Sequence, residues 1–74
     1  MAAQQEEATT EQELSGQELF VVQLLSEGMS YEEIGEELEI SYFTARTYAA
    51  RARRKLGLHN QFQLAEWFRE NYET

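Results

Sequence analysis

The residues SYEEIGEELEISYFTARTYAARARRKLG, numbered 30–57, decide the fold of this chain. Ser30 with a glutamate three positions later forms a capping box, which predicts a short helix that ends near Leu38. A two-residue connection separates that helix from Ser41, which we expect to cap a longer helix closed by Gly57. The stretch therefore predicts two helices of unequal length joined by a tight connection.

Helix signals flank this pair on both sides. On the N-terminal side, Ser15 begins another capping box, and the apolar face that follows it extends to Gly28. On the C-terminal side, Asn60 is expected to cap a fourth helix with an apolar stripe. The stripe consists of Leu64, Ala65, Phe68 and Tyr72. The sequence thus predicts an all-α four-helix bundle over residues 13–74, preceded by a disordered acidic tail, residues 1–12.

The composition excludes several classes of protein. With 74 residues, of which 42% are hydrophobic, the chain is long enough for one small core and no more. It has no cysteine, no aspartate and a single histidine, so thiolate zinc sites and Ser-His-Asp triads lack their parts. No apolar run is long enough to cross a membrane. We therefore expect a cytoplasmic binding module, with no enzymatic activity, no metal and no cofactor.

The charges are sharply segregated along the chain. The net charge is −8, and residues 1–40 carry 11 of the 14 glutamates without a single basic residue. Five of the six basic residues lie within residues 46–55, which contain no acid. They are Arg46, Arg51, Arg53, Arg54 and Lys55. This cluster predicts one confined anion-binding surface on an acidic domain. The alternative interpretation is a solvated helix whose arginines pair with glutamates of neighbouring helices.

The longer helix, expected over residues 42–56, has two distinct faces at 100° per residue. The inner face carries small and apolar residues, Ala45, Tyr48, Ala49, Ala52 and Leu56. The outer face carries Phe43, Arg46, Thr47, Ala50, Arg51 and Arg54. In a helix-turn-helix, the second helix of the pair enters the DNA major groove, and the planar fork of arginine matches guanine edges and phosphate oxygens. The outer face is therefore a candidate DNA-binding surface.

Three spaced patterns connect the four expected helices. They are L-S-x-x-E at residues 14–18, E-I-G-x-x-L-x-I-S-x-x-T at residues 33–44 and K-L-G-L-x-N-x-x-Q at residues 55–63. In their order and spacing they resemble the LuxR/GerE-type DNA-binding domain. The resemblance implies a helix-turn-helix within a four-helix bundle that reads the major groove with its third helix. It also implies a homodimer formed largely through the last helix.

The resemblance assigns roles to residues by their position. Thr44 and Arg46 stand where the family contacts phosphates and bases, and Lys55 stands where it contacts the DNA backbone near the end of the third helix. The full expected DNA-binding set is Phe43, Thr44, Arg46, Thr47, Ala50, Arg51, Arg54 and Lys55. The expected dimer or partner interface is Phe62, Leu64, Trp67 and Phe68. The implied function is a transcription regulator that binds double-stranded DNA.

Several residues depart from the family pattern and keep alternatives open. Glu32 would repel a phosphate, Phe20 stands where relatives have a charged residue, and Phe43 places a large apolar side chain on the outermost line of the third helix. These residues favour a helix-turn-helix module that docks on another regulator or on transcription machinery through acidic and apolar surfaces. Residues 44–56 also resemble the promoter-reading helix of the fourth region of sigma factors. Residues 57–60 fit the LuxR/GerE-type domain better.

Overall fold

The computed structural model describes residues 14–72, so the tail expected over residues 1–12 lies outside the described residues. The four helices are α1 (Gly16–Ser26), α2 (Tyr31–Leu38), α3 (Tyr42–Leu56) and α4 (Gln61–Tyr72). Residues 14–72 contain no strand, and none of their helices is long and apolar enough to cross a membrane. The predicted all-α four-helix fold is confirmed.

The first two helices begin at the capping boxes that the sequence predicted. The hydroxyl of Ser15 accepts a hydrogen bond from the amide of Glu18 at 3.1 Å, and the Glu18 carboxylate accepts from the Ser15 amide at 3.0 Å. Ser30 and Glu33 form the same pair of bonds at 3.1 and 2.9 Å. Each box satisfies two of the amides that the first turn of a helix leaves without a partner.

The connection between α2 and α3 depends on the backbone of Gly35 and Glu39. The Ile40 amide donates to the Gly35 carbonyl at 2.9 Å, while Glu39 adopts a left-handed conformation with φ of 60°. A Cβ on Gly35 would lie 2.7 Å from the Ile40 carbonyl oxygen. A glycine within a helix can allow a second helix to cross closely. The close neighbour is instead the turn that leads into α3, because this turn folds back over the last residues of α2.

The core lies where α1 packs against α3 and α4. The largest fully buried side chains are Val21, Val22, Ile34 and Leu64. On α3, three residues of the predicted inner face, Ala45, Ala49 and Ala52, are buried, and its other two, Tyr48 and Leu56, are half-buried. Because alanine has no side chain beyond Cβ, α3 can lie close to its neighbours while its opposite face stays in solvent. This packing fixes which side of α3 is available to a ligand.

Two expected interface residues belong to this core. Leu64 is 0% exposed and Phe68 is 6% exposed, since α4 turns both side chains toward α1 and α3. The expectation that they take part in a dimer or partner interface is therefore corrected. Both residues stabilise the protomer itself.

Candidate nucleic-acid interface

The N-terminal end of α3 is held by Ser41 and Thr44. The Ser41 hydroxyl accepts from the Thr44 amide at 2.9 Å and donates to the Thr44 hydroxyl oxygen, also at 2.9 Å. Because the Thr44 oxygen accepts this bond, its own proton is left for another acceptor. The first turn of α3 thus presents a fixed hydroxyl donor beside backbone amides, an arrangement that suits a phosphate oxygen.

The outer face of α3 carries exposed arginines. Arg46, Arg51 and Arg54 are all exposed, and the one ion pair within residues 14–72 does not include any of them. The alternative in which these arginines pair with glutamates of neighbouring helices is therefore wrong for the described part of the chain. Their positive charge is available to an external anion.

Two of these arginines are oriented by tyrosine rings of the same helix. The guanidinium carbon of Arg46 lies 5.9 Å from the ring centre of Tyr42, and that of Arg51 lies 5.8 Å from the ring centre of Tyr48. A cation–π contact holds a guanidinium without neutralising it. Both side chains are therefore partly ordered before any ligand arrives, which reduces the entropy lost on binding.

Lys55 differs from the arginines because it already has a partner. Its Nζ lies 2.7 Å from the Oε1 atom of Glu18, whose side chain is almost completely buried. Burial raises the pKa of Glu18, but the Lys55 ammonium and the Ser15 amide outweigh this effect and hold the pKa below its usual range. The pair ties the end of α3 to the start of α1. A phosphate would have to compete with Glu18 for this lysine.

An open groove of about 490 Å³ runs along one side of the α3 face. Its lining comes from α2, α3, the following loop and the first residue of α4, and comprises Tyr31, Phe43, Arg46, Thr47, Ala50, Arg53, His59, Asn60 and Gln61. Burial raises the pKa of the Tyr31 hydroxyl, and the nearby Arg53 and Arg46 cations oppose this rise without cancelling it. Tyr31 therefore keeps its proton at neutral pH and adds one more hydrogen-bond donor to the groove.

The loop between α3 and α4 is fixed against the groove by hydrogen bonds. Asn60 Oδ1 accepts from the Gln63 amide at 2.9 Å, and Gln63 Oε1 accepts from the His59 amide at 2.6 Å. Arg53 Nη1 donates to the His59 carbonyl at 3.3 Å. The predicted cap at Asn60 is confirmed. Because the partner of Arg53 is a neutral carbonyl, this arginine keeps its full positive charge.

Sequence reasoning missed part of this groove. Tyr31, Arg53 and residues 59–61, which span the end of the loop and the start of α4, were not in the expected binding set, yet they line the groove beside Arg46. A signal for Arg53 was present, since it lies seven positions after Arg46 and so returns to nearly the same side of the helix. The placement of Tyr31 and of the loop depends on how α2 and α4 pack, which no local pattern encodes.

The chemistry of this face is that of hydrogen-bond donors and positive charge. The groove is lined by guanidinium, hydroxyl and amide groups, and no carboxylate contributes to its lining. Residues 14–72 contain no group of three or more histidine and glutamate side chains placed to hold a metal ion. Such a surface fits the phosphates and base edges of a nucleic acid.

Large apolar side chains interrupt the polar surface at a few positions. Phe43 at the start of α3 is 72% exposed and Phe62 at the start of α4 is 76% exposed. Phe20 on α1 is 55% exposed, whereas Trp67 on α4 is half-buried. Of the four expected interface residues, Phe62 and Trp67 are thus the two that reach the surface.

Comparison with known proteins identifies one family. The family model GerE, described as bacterial regulatory proteins of the luxR family, matches residues 12–68. The match includes all of α1, α2 and α3 and most of α4. No curated protein and no solved structure matches the chain.

Proposed function

The chain belongs to the luxR family of bacterial regulatory proteins, which are DNA-binding helix-turn-helix regulators, and we propose that it regulates transcription as a dimer that reads the major groove with α3. One observation carries the proposal. The outer face of α3 exposes Arg46, Arg51 and Arg54 without a carboxylate partner among residues 14–72, on a chain whose net charge is −8. The family is one of regulatory domains and not of enzymes.

The dimensions of α3 suit this role. The major groove is about 12 Å wide and admits one α-helix, with base edges on its floor and phosphates on both rims. Arg46, near the start of the helix, faces the floor and is a candidate for bidentate contact with guanine. Arg51 and Arg54 lie further along and are candidates for the rims, together with Thr44 at the first turn. Thr47 and Ala50 fill the space between them.

The acidic α2 shapes the binding rather than preventing it. Glu32 is exposed in the first turn of α2 and would repel a phosphate close to it. Non-specific affinity for DNA comes almost entirely from phosphate attraction, so an acidic body weakens binding to arbitrary sequences. Specific contacts from α3 are affected less. We therefore propose a regulator with low non-specific affinity and a correspondingly high preference for its own site.

The deciding experiment is selection of bound sequences from random duplex DNA, followed by titration of the selected duplex. Arg46→Ala is expected to weaken specific binding by about 1–3 kcal/mol if the side chain contacts bases. Arg69→Ala is the matched control, since it removes the same charge from α4, where Arg69 donates to the Ser26 carbonyl at 3.1 Å. Failure of the wild-type protein to bind any duplex at low salt would overturn the proposal.

The dimer is proposed to form through α4. Phe62 is 76% exposed on this helix, and pairing with a second copy would remove its ring from water. Trp67 is half-buried and lies five positions further on, about 140° around the helix axis. A two-fold dimer places two recognition helices on one side of the duplex. Their half-sites are then expected about one helical turn, or roughly 34 Å, apart.

A second candidate function is supported by the surface around Phe20. This side chain stands at the edge of a cleft of about 210 Å³, lined also by Leu38, Ile40, Tyr48 and Gln17. A protein partner could insert an apolar side chain there. If docking is the function, Phe20→Ala abolishes co-purification of one defined partner while Arg46→Ala leaves it intact. The reverse pattern, or no partner at all, contradicts this candidate.

A further inference from the structure

We propose that Phe43 recognises the C5-methyl group of a pyrimidine in the major groove. The protein would then distinguish thymine or 5-methylcytosine from uracil or cytosine at one position of its site. This inference rests on the proposed function, because it requires α3 to lie in the groove. It adds a chemical specificity that the arginines do not provide.

The first support is the exposure and position of the ring. Phe43 is 72% exposed and lies in the first turn of α3, the part of a recognition helix that approaches base edges. It also lines the groove that contains Arg46 and Arg53, so the ring is surrounded by hydrogen-bond donors. It is therefore an isolated apolar point on the face proposed to contact DNA.

The second support is that neighbouring rings hold Phe43 in place. Its ring packs edge-to-face on Tyr42, with 5.4 Å between the ring centres and an angle of 85°. Tyr42 packs in the same way on Tyr31 of α2, at 6.2 Å and 86°. The guanidinium of Arg46 lies over the Tyr42 ring as well. This row of rings holds Phe43 in place before binding. A side chain that discriminates between bases by one methyl group needs such a fixed position.

The third support comes from the chemistry of the groove itself. The base edges in the major groove present hydrogen-bond donors and acceptors, and the C5-methyl of thymine is their one apolar group. A phenyl ring can neither donate nor accept a conventional hydrogen bond, so the methyl is the group that complements it. The methyl of 5-methylcytosine occupies the same position on the base. Both therefore present the same chemistry to Phe43.

The position of Arg46 adds a constraint on the sequence of the site. Arg46 lies three positions after Phe43, which corresponds to a rise of about 4.5 Å along the helix. Successive base pairs are about 3.4 Å apart. The two side chains therefore reach neighbouring base pairs, and the methylated pyrimidine is expected next to the guanine that Arg46 contacts.

The experiment replaces each thymine of a selected duplex with deoxyuridine, which removes the methyl and leaves base pairing unchanged. At one position per half-site, the thymine that Phe43 contacts, this replacement is expected to lower wild-type affinity about fourfold. That factor corresponds to the free energy of burying one methyl-sized group. Phe43→Ala is expected to bind the thymine and uracil duplexes equally. Phe20→Ala, the same change at an exposed phenylalanine of α1, is expected to keep the fourfold preference. Circular dichroism checks that both variants are folded.

The outcomes separate the possible failures. Where the selected pyrimidine is cytosine, 5-methylation at that position is expected to raise the affinity about fourfold, which distinguishes the two sources of the methyl. Unchanged affinity with every uracil and every 5-methylcytosine overturns the inference, and so does a preference that persists in Phe43→Ala. An affinity loss in Phe43→Ala that is equal for both duplexes, with no wild-type preference, also overturns it. Absence of binding to any duplex overturns the proposed function itself.

Discussion

Glu18 links two parts of the molecule that are far apart in sequence. Its carboxylate accepts from the Ser15 amide at the start of α1 and from the Lys55 ammonium at the end of α3. With only 3% of the residue exposed, the charge is stable there because these two donors replace the lost water. The residue therefore contributes both to the cap of α1 and to the placement of α3.

Replacing Glu18 with glutamine is expected to lower the free energy of unfolding at neutral pH by about 1–3 kcal/mol, since Lys55 loses its charged partner. Glutamine can still close a capping box, so the cap itself survives. Glu33→Gln is the control, because Glu33 closes the equivalent box of α2 without a lysine partner among residues 14–72. Its expected loss is below about 1 kcal/mol. Urea unfolding of both variants measures the difference.

The same pair predicts the pH dependence of stability. The pKa of Glu18 in the folded protein lies below its usual 4.5, so the charged form is favoured by folding. Its contribution is complete above pH 4.5 and is lost as the pH falls through the folded pKa. The stability gap between the wild type and Glu18→Gln should therefore narrow in acid, as urea unfolding from neutral pH to about pH 3 would reveal. A gap that stays constant over this range would contradict the prediction.

At the scale of the element, the turn between α2 and α3 depends on one unfavourable backbone conformation. Glu39, with φ of 60°, is the one non-glycine residue of the described chain with positive φ. Such a conformation costs an ordinary residue about 1–2 kcal/mol. Glu39→Gly is expected to raise the free energy of unfolding by about 0.5–1 kcal/mol, because the strain removed exceeds the entropy that glycine adds to the unfolded chain. Thermal unfolding provides the measurement.

Glu37→Gly tests whether the effect belongs to the conformation rather than to the residue type. Glu37 is exposed in the last turn of α2, where the backbone is still right-handed helical, so glycine there is expected to destabilise by roughly 0.5–1 kcal/mol. The same substitution at these two positions should thus change the free energy of unfolding in opposite directions. If both substitutions destabilise the protein, the Glu39 side chain stabilises the fold by more than its strained backbone conformation destabilises it.

The elements differ in how far the sequence could predict them. Capping residues act on amides three positions away, so Ser15, Ser30 and Ser41 located the helix starts correctly. The left-handed conformation of Glu39 was not foreseen, because glutamate has no preference for it and the turn imposes it. On α3, the outer face followed from helical periodicity. On α4, periodicity identified the apolar stripe but could not show that Phe68 is buried within the protomer instead of lying at an interface. Its burial depends on which helices cover it.

At the scale of the whole molecule, acidic and basic residues are segregated along the chain. Residues 1–12 include Glu6, Glu7 and Glu11 and no basic residue, and they precede α1, whose Glu18 pairs with Lys55 of α3. Because Ser15 and Glu18 contact each other and Glu18 contacts Lys55, the described part of the chain begins beside the C-terminal end of α3. Negative charges on the protein repel DNA phosphates within about a Debye length, which is roughly 10 Å at 0.1 M salt.

Deletion of residues 1–12 is expected to raise affinity for the selected duplex at low salt, with the gain disappearing as salt screens the charges. A variant in which Glu6, Glu7 and Glu11 are all replaced by glutamine keeps the length of the segment and removes its charge. It should reproduce the gain if repulsion is the cause. Equal affinity of the deletion and the wild type at every salt concentration would show that the segment does not influence DNA binding.

The dimer can be tested through the exposed side chain of Phe62. Placing a carboxylate at the proposed α4 interface opposes pairing, so Phe62→Glu is expected to sediment as a monomer and the wild type as a dimer. With about four phosphate contacts per protomer, the slope of log K against log salt should then change from near −8 for the dimer to near −4 for the monomer. Phe20→Glu introduces the same charge on α1 and should leave both measurements unchanged. An apolar interface would not tolerate a carboxylate at Phe62, the most exposed phenylalanine of α4. A Phe62→Glu protein that remains dimeric would therefore exclude this face of α4 as the dimer interface.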